Sequence, residues 1–297
     1  MTERTFLAVD ADAALWGAAP VAAAAFVSRA PSTPALRPLV AWLHLCDERL
    51  DAGVEERVLP DGAVHLSIHL AERPAVLADG AVVPGDVAEV VGPGTAPSIV
   101  RMAGRQEGVG LCLHPGGAAA LLGVPAGELA GRIVSLDALW RGTAATLVER
   151  LLAVPHGPAR LAVLERALVE RLARAGDAPA PSHRAAREAV RRLRATGGQL
   201  TVRALAAELG LGARRLEQLF HRDVGLPPKA VARLARFHAA LRLARREPAL
   251  GWSAVAQRAG YADQPHLVHE VRALSGLTPG ALRERFAFPQ DGAAVPR

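Results

Sequence analysis

The period of the apolar and polar positions changes partway along the chain. From about Arg37 to Leu113, short apolar runs alternate with Gly, Pro and Asp punctuation, the pattern of a compact β domain. In AVHLSIHL (63–70), Val64, Leu66, Ile68 and Leu70 fall on one face and His65, Ser67 and His69 on the other, as in a half-buried strand. The preceding LPDG sets Pro60 and Gly62 where a turn wants them, and VLADGAVV (76–83) and VGLCLH (109–114) extend the pattern across a hairpin-like ADG. After Pro115 the spacing lengthens. Leu147, Leu151 and Val154, then Leu161, Leu164, Leu168 and Leu172, recur at helical intervals with a break at PHGP (155–158). These read as connecting helices, and AGDAPAPS (175–182) has the composition of a linker. The pattern predicts an α+β chain, with a β-rich domain over 1–140, connecting helices and linker over 141–181, and an all-α domain over 182–297.

The all-α part contains a repeat. LTVRALAAELGLGARRLEQLFHRDVGLPP lies over LGWSAVAQRAGYADQPHLVHEVRALSGLTP, matching Leu205 and Ala206 to Val255 and Ala256, Gly210 to Gly260, Phe220 to Val271, Gly225 to Gly276 and Pro228 to Pro279. A helix of about eight residues, a glycine turn and an amphipathic helix is the helix-turn-helix layout, whose second helix enters the DNA major groove. The two units fall at about 200–228 and 251–279. Between them, PKAVARLARFHAALRLARRE (228–247) has helical spacing without internal Gly or Pro, which predicts a rigid helix about 28 Å long. A spacer of that length suits two reading heads on successive major-groove faces, about 34 Å apart, so one chain would read an asymmetric site.

In the first unit Leu216, Leu219 and Phe220 belong inside, leaving Arg214, Arg215, Glu217, Gln218, His221 and Arg222 outward. In the second, Leu267, Val271 and Leu274 pack, and Gln264, Pro265, Val268, His269 and Arg272 face out. Asp263 is placed to cap this helix, and Pro265 in its first turn costs no intrahelical bond. Such a set suits base edges: Arg pairs with guanine, Gln with adenine, and Val touches a thymine methyl. Arg203, Arg214, Arg245 and Arg258 are available for phosphates.

Charge sharpens the division. Residues 182–286 hold 19 Arg or Lys against 8 Asp or Glu, whereas the rest holds 16 against 21. A basic domain joined to a mildly acidic one points to a polyanion for the first and a different partner for the second. Lys229 is the only lysine, which a GC-rich coding bias explains without any appeal to guanidinium chemistry. Two cysteines, Cys46 and Cys112, make neither a disulfide framework nor a zinc motif, and imply a reducing, cytoplasmic setting. The alanine-rich run 13–27 is short, contains Gly17 and Pro20 and follows Asp10 and Asp12, so neither a signal peptide nor a membrane span is expected.

The second unit carries Gly260-Tyr261, Asp263-Gln264-Pro265-His266-Leu267 and Gly276-Leu277-Thr278-Pro279. Over about residues 182–286 the paired units resemble the DNA-binding domain of AraC/XylS-type transcriptional regulators. The resemblance implies double-stranded DNA and RNA polymerase as partners, nucleoid association when bound, and base-facing roles for Arg214, Glu217 and Gln218, then Gln264, Pro265, Val268 and His269. Leu267 stands where the family has an aromatic residue and His269 where it commonly has a basic one, so the second helix is expected to read bases weakly or mainly to position the protein. RVLPDGAVHLSIHL (57–70) and LCLHPGGAAALLGVPAGEL (111–129) resemble, less specifically, the cupin-like barrels attached to some of these regulators. That likeness implies a small-molecule effector and a homodimer.

A competing reading is a cupin-like metal-dependent enzyme, or a metal sensor, with an accessory helical tail. His65, His69, Cys112 and His114 are its candidate ligands, but His65 and His69 stand roughly 13 Å apart on one strand and cannot share an ion, which leaves only a site formed with Cys112 or His114 across strands against the reading of ordinary packed or solvated histidines. No His-x-His signature or Ser-His-Asp arrangement is present. The expectation is no catalytic residue, no cofactor and no metal.

Overall fold

The computed structural model of the protein describes residues 3–6, 22–23, 26–78, 81–175 and 181–286. Asp79 and Gly80 of the expected hairpin turn, residues 176–180 of the expected linker and most of the alanine-rich run lie outside them. Among the described residues ten strands form one sheet: β1 (Glu3–Phe6), β2 (Ala22–Ala23), β3 (Phe26–Arg29), β4 (Val40–Val58), β5 (Val64–His69), β6 (Ala75–Ala78), β7 (Ala81–Pro84), β8 (Ala88–Val91), β9 (Ser98–Leu113) and β10 (Ile133–Ser135). The order β10-β8-β5-β9-β4-β3-β2 is antiparallel throughout, β1 runs parallel to the end of β4, and the β6–β7 hairpin joins β9. Helices follow, giving the α+β architecture that the spacing predicts.

Two long strands carry the sheet. β4 and β9 pair from Val40 opposite Leu113 to Val58 opposite Ser98, with register shifts between Val40 and Trp42 and between Leu50 and Val54. Sequence alternation suggests only short runs here because β4 is rich in charge. Those charges are matched across the ladder: Arg105 donates to Asp47 at 3.0 Å and Arg101 to Glu55 at 2.8 Å.

One face of the sheet is the main apolar core. Leu43, Leu45, Leu66, Ile68, Val109 and Leu111 point into it, and Trp140, Leu147, Leu151, Leu161, Leu164 and Leu168 cover them from the helices. The helices expected to connect the two regions, Ala144–Leu152 and Pro158–Ala175, are therefore laid against the sheet by their apolar stripes. Buried ion pairs fix the longer one. Arg160 and His156 meet the buried Glu107 of β9, and Glu165 accepts from the backbone and hydroxyls of Ser32 and Thr33 and from Arg29. Burial pushes the Glu165 carboxyl up, but these donors outweigh it and hold the group at about 2.

The opposite face is aromatic and polar, and register arranges it in rows. Trp42, Cys112 and His65 stand side by side across β4, β9 and β5. His44, Gly110 and Ser67 form the next row, then Cys46, Gly108 and His69. Gly110 makes room for a neighbour, since a Cβ there would come within 2.3 Å of the His44 ring. His44 is driven down to about 3 by burial and by the charges of His65 and His69, so it is a neutral imidazole.

Helices Pro181–Ala195, Val202–Glu208, Ala213–Asp223, Pro228–Arg246, Trp252–Ala259, Gln264–Ser275 and Pro279–Phe286 share a second core built on Leu193, Leu205, Leu216, Phe220, Phe237 and Leu267. No helix among the described residues is long and apolar enough to cross a membrane.

The two cores meet at the turn between β4 and β5. Leu59 belongs to the helical core, and His238 donates to the Pro60 carbonyl at 2.8 Å. Burial lowers His238 to about 4, which keeps the imidazole neutral with its Nε2 proton on that bond. Arg194 donates to the Asp61 carbonyl at 3.3 Å. Gly62 takes φ +75°, the left-handed conformation that favours glycine, and its bare Cα lets the turn lie against the Leu234 side chain. The seam encloses a cavity of about 30 Å³ bordered by Asp61, His114, Arg194, Asp223 and His238, too small for an organic effector.

Candidate nucleic-acid interface

Each reading helix is set by a glycine turn and a buried stripe. Leu205, Ala206, Leu216, Leu219 and Phe220 bury the first unit, and Val255, Ala256, Leu267, Val271 and Leu274 the second. The equivalent Gly210 and Gly260 take φ +64° and +80°, the left-handed conformation that turns the chain between the two helices of each unit. Asp263 caps the second reading helix, its carboxylate accepting the His266 amide at 2.8 Å, with Pro265 in the first turn as the sequence suggests.

Fixing these stripes leaves defined outer faces. On helix Ala213–Asp223, Arg214, Arg215, Glu217 and Gln218 are exposed; Arg214, Glu217 and Gln218 lie three and four apart and share one face near the N-terminus. On helix Gln264–Ser275, Gln264, Pro265, His269 and Arg272 are exposed and Val268 is half-buried, and these five border one open surface depression. Arg203, Arg214, Arg215 and Arg272 carry no ion pair among the described residues, so their guanidinium groups are available to phosphates or base edges.

Other expected contacts are occupied. Arg258 makes a two-pronged pair with Glu247 at 2.6 and 2.7 Å. Arg222 makes another with the buried Asp223 at 2.9 and 2.8 Å. His221 is exposed, as expected, and it also borders the N-terminal domain: its carbonyl would be 2.5 Å from a Cβ on Gly127, and the amide of Gly116 donates to the Asp223 carbonyl at 2.8 Å. The C-terminal end of the first reading helix thus abuts the sheet domain on one side, while His221 and Arg222 remain exposed on the other. Spacing shows which side of a helix avoids its own core; it cannot show which part a second domain covers.

The ligand candidates of the N-terminal domain are also sorted. Asp61, His65 and Cys112 offer donor atoms within 4.8 Å of one another, whereas His69 stands nearer Glu89, 3.5 Å away. His114 faces the seam and is lowered to about 3 by burial and by Arg187 and Arg194. Asp61 is the residue that sequence reasoning overlooks, because it lies in a turn where an Asp is expected for backbone reasons alone. Its side chain does accept the Ala63 amide at 2.9 Å, and it also meets His65 Nε2 at 2.8 Å.

Residues 205–285 match the family described as a helix-turn-helix domain, and residues 28–135 match a domain of unknown function, DUF6597. No protein of curated function matches the chain. Among solved structures, ToxT from Vibrio cholerae is similar at 6% identity and a TM-score of 0.45, covering 88% of this chain and 98% of that one. ToxT bound to (E)-4-(8-methylnaphthalen-1-yl)but-3-enoic acid is similar at 7% identity and a TM-score of 0.46, covering 88% and 99%. The AraC-like transcriptional activator CuxR reaches 18% identity and a TM-score of 0.25, covering 75% and 87%. These overlays are likenesses in outline, and the assignment rests on the matched helix-turn-helix segment together with the paired units and their outward faces. The chain therefore carries a helix-turn-helix domain of two units behind an antiparallel-sheet domain that matches DUF6597.

Proposed function

We propose that one chain reads an asymmetric DNA site with two unequal helices, the first supplying most of the base discrimination. The observation that carries this is the contrast between the two exposed faces. Arg214 and Gln218 offer directional hydrogen-bonding groups, whereas Pro265 has no side-chain donor and Val268 is apolar and half-buried. Arg272, one or two turns further along the second helix, suits a phosphate. The 19-residue helix Pro228–Arg246 supports the spacing, at about 28 Å between the units.

Binding-site selection with two variants tests the division of labour. Arg214→Ala is expected to lower affinity for the preferred site about 5- to 150-fold and to relax one or two base pairs. Arg272→Ala is expected to weaken all sequences evenly. The reverse pattern, with uniform loss for Arg214→Ala and altered base preference for Arg272→Ala, overturns the assignment.

The sheet domain, in the same reading, takes a small effector and forms a homodimer, and the DNA-bound protein meets RNA polymerase. We set the end of that domain at Ala175, because helix Pro158–Ala175 is buried against the sheet. Sedimentation of the full chain should show a concentration-dependent dimer. A strict monomer at high concentration removes the dimer from the proposal.

A further inference from the structure

We propose that Asp61, His65 and Cys112 form a binding site for a thiophilic divalent cation of the zinc class, and that its occupation acts on the turn seated in the DNA-binding domain. Three different donors converge here from two strands and a turn. His65 and Cys112 are directly opposite in the β5–β9 register, and Asp61 reaches back from the turn just before β5. Their donor atoms already lie within 4.8 Å of one another. Tetrahedral zinc with nitrogen, oxygen and sulfur ligands needs donor separations of about 3.3–3.6 Å. The Asp61–His65 hydrogen bond, at 2.8 Å, must then open by about half an ångström while the thiol closes in.

The chemistry of the set fits that ion. The Asp61 carboxylate accepts the Ala63 amide at 2.9 Å and meets His65 Nε2 at 2.8 Å, so an oxygen ligand is already aimed at the site. Cys112 is fully buried, and on binding the metal displaces two protons, the Cys112 S–H proton to solvent and the His65 Nε2 proton of the Asp61 hydrogen bond to solvent or to Nδ1 of the same ring. One carboxylate and one thiolate then neutralise the dication, with His65 as a neutral ligand. Three protein donors leave a fourth position for water or for a donor atom of a small ligand. Trp42 walls the site, its ring 5.7 Å from that of His65.

The position gives the site a route outward. The residue whose carboxylate would bind the ion gives its own carbonyl to Arg194, and its neighbours Pro60 and Gly62 contact His238 and Leu234. Drawing Asp61 toward a cation therefore loads the contact between the sheet and the helical core. This second step rests on the proposed DNA-reading function; the first does not.

The test is titration of the reduced full chain with Co²⁺ as a spectroscopic probe, followed by Zn²⁺ competition. One equivalent of Co²⁺ with a thiolate-to-metal charge-transfer band is expected. The band should persist in Cys46→Ser, vanish in Cys112→Ser and require at least 10-fold more metal in Asp61→Asn. Wild-type protein without the band, a band lost in Cys46→Ser instead, or unchanged affinity in Asp61→Asn overturns the site. Because the wild-type spectrum and Asp61→Asn decide by themselves, a Cys112→Ser variant that fails to fold does not obscure the answer. A DNA affinity equal with and without Zn²⁺ overturns the coupling, and a chain that binds Co²⁺ but no DNA overturns the DNA reading and leaves the metal site standing.

Discussion

Phe220→Ala is expected to destabilise the helical domain by about 3–5 kcal/mol, enough to abolish DNA binding well before the sheet domain is affected. Phe220 is fully buried in the core that helix Ala213–Asp223 shares with Leu205, Leu216, Val231 and Phe237. Truncation removes the ring and leaves a cavity that neighbours from several helices cannot all close. Denaturant unfolding followed by helical circular dichroism measures the change. Arg215→Ala, on the exposed face of the same helix, provides the contrast, with a shift within about 0.5 kcal/mol. Equal stabilities of the two variants would mean that the helix is not held by this stripe.

The second large effect is that of salt. With about four to six phosphates neutralised by arginines such as Arg203, Arg214, Arg215 and Arg272, log affinity should fall with log salt at a slope near −4 to −5. Between 50 and 200 mM salt the specific complex then weakens about 10²- to 10³-fold. Filter binding or anisotropy of the full chain across that range measures the slope. Arg272→Ala should make it shallower by about one, and a slope near zero would contradict a phosphate-anchored interface. The free arginines, rather than the total positive charge, set this number: Arg192, Arg222 and Arg258 are already neutralised by Glu188 and Glu208, Asp223 and Glu247.

How far each part was legible follows from the range of the forces that shape it. The second reading helix is a local object, fixed by a glycine turn, an Asp cap and a 3.6-residue stripe, and all three features stand in the sequence at Gly260, Asp263 and Leu267-Val271-Leu274. The faces of β5 were likewise legible, because Val64, Leu66 and Ile68 alternate with His65, Ser67 and His69 and are buried accordingly. The length of β4 was not. Its length is set by the ladder with β9, a strand far along the chain on which charges such as Asp47 and Arg105 find each other, and local propensity carries no trace of such partners. Asp61 was hidden for a similar reason, since its neighbour in space, Cys112, is brought up by the register of β9. Nor does any periodicity announce that His221 and Asp223 end a DNA-reading helix against Gly127 and Gly116.

The turn at Leu59 to Gly62 has a consequence for anyone exchanging parts between such regulators. A helical domain cut away and fused behind a foreign sensor would lose the plug that fills the space beside Leu226 and Leu234, together with the Pro60 carbonyl that accepts the His238 Nε2 proton. A working chimaera would have to transplant this four-residue peg with the helices, or redesign the socket to be flush without it.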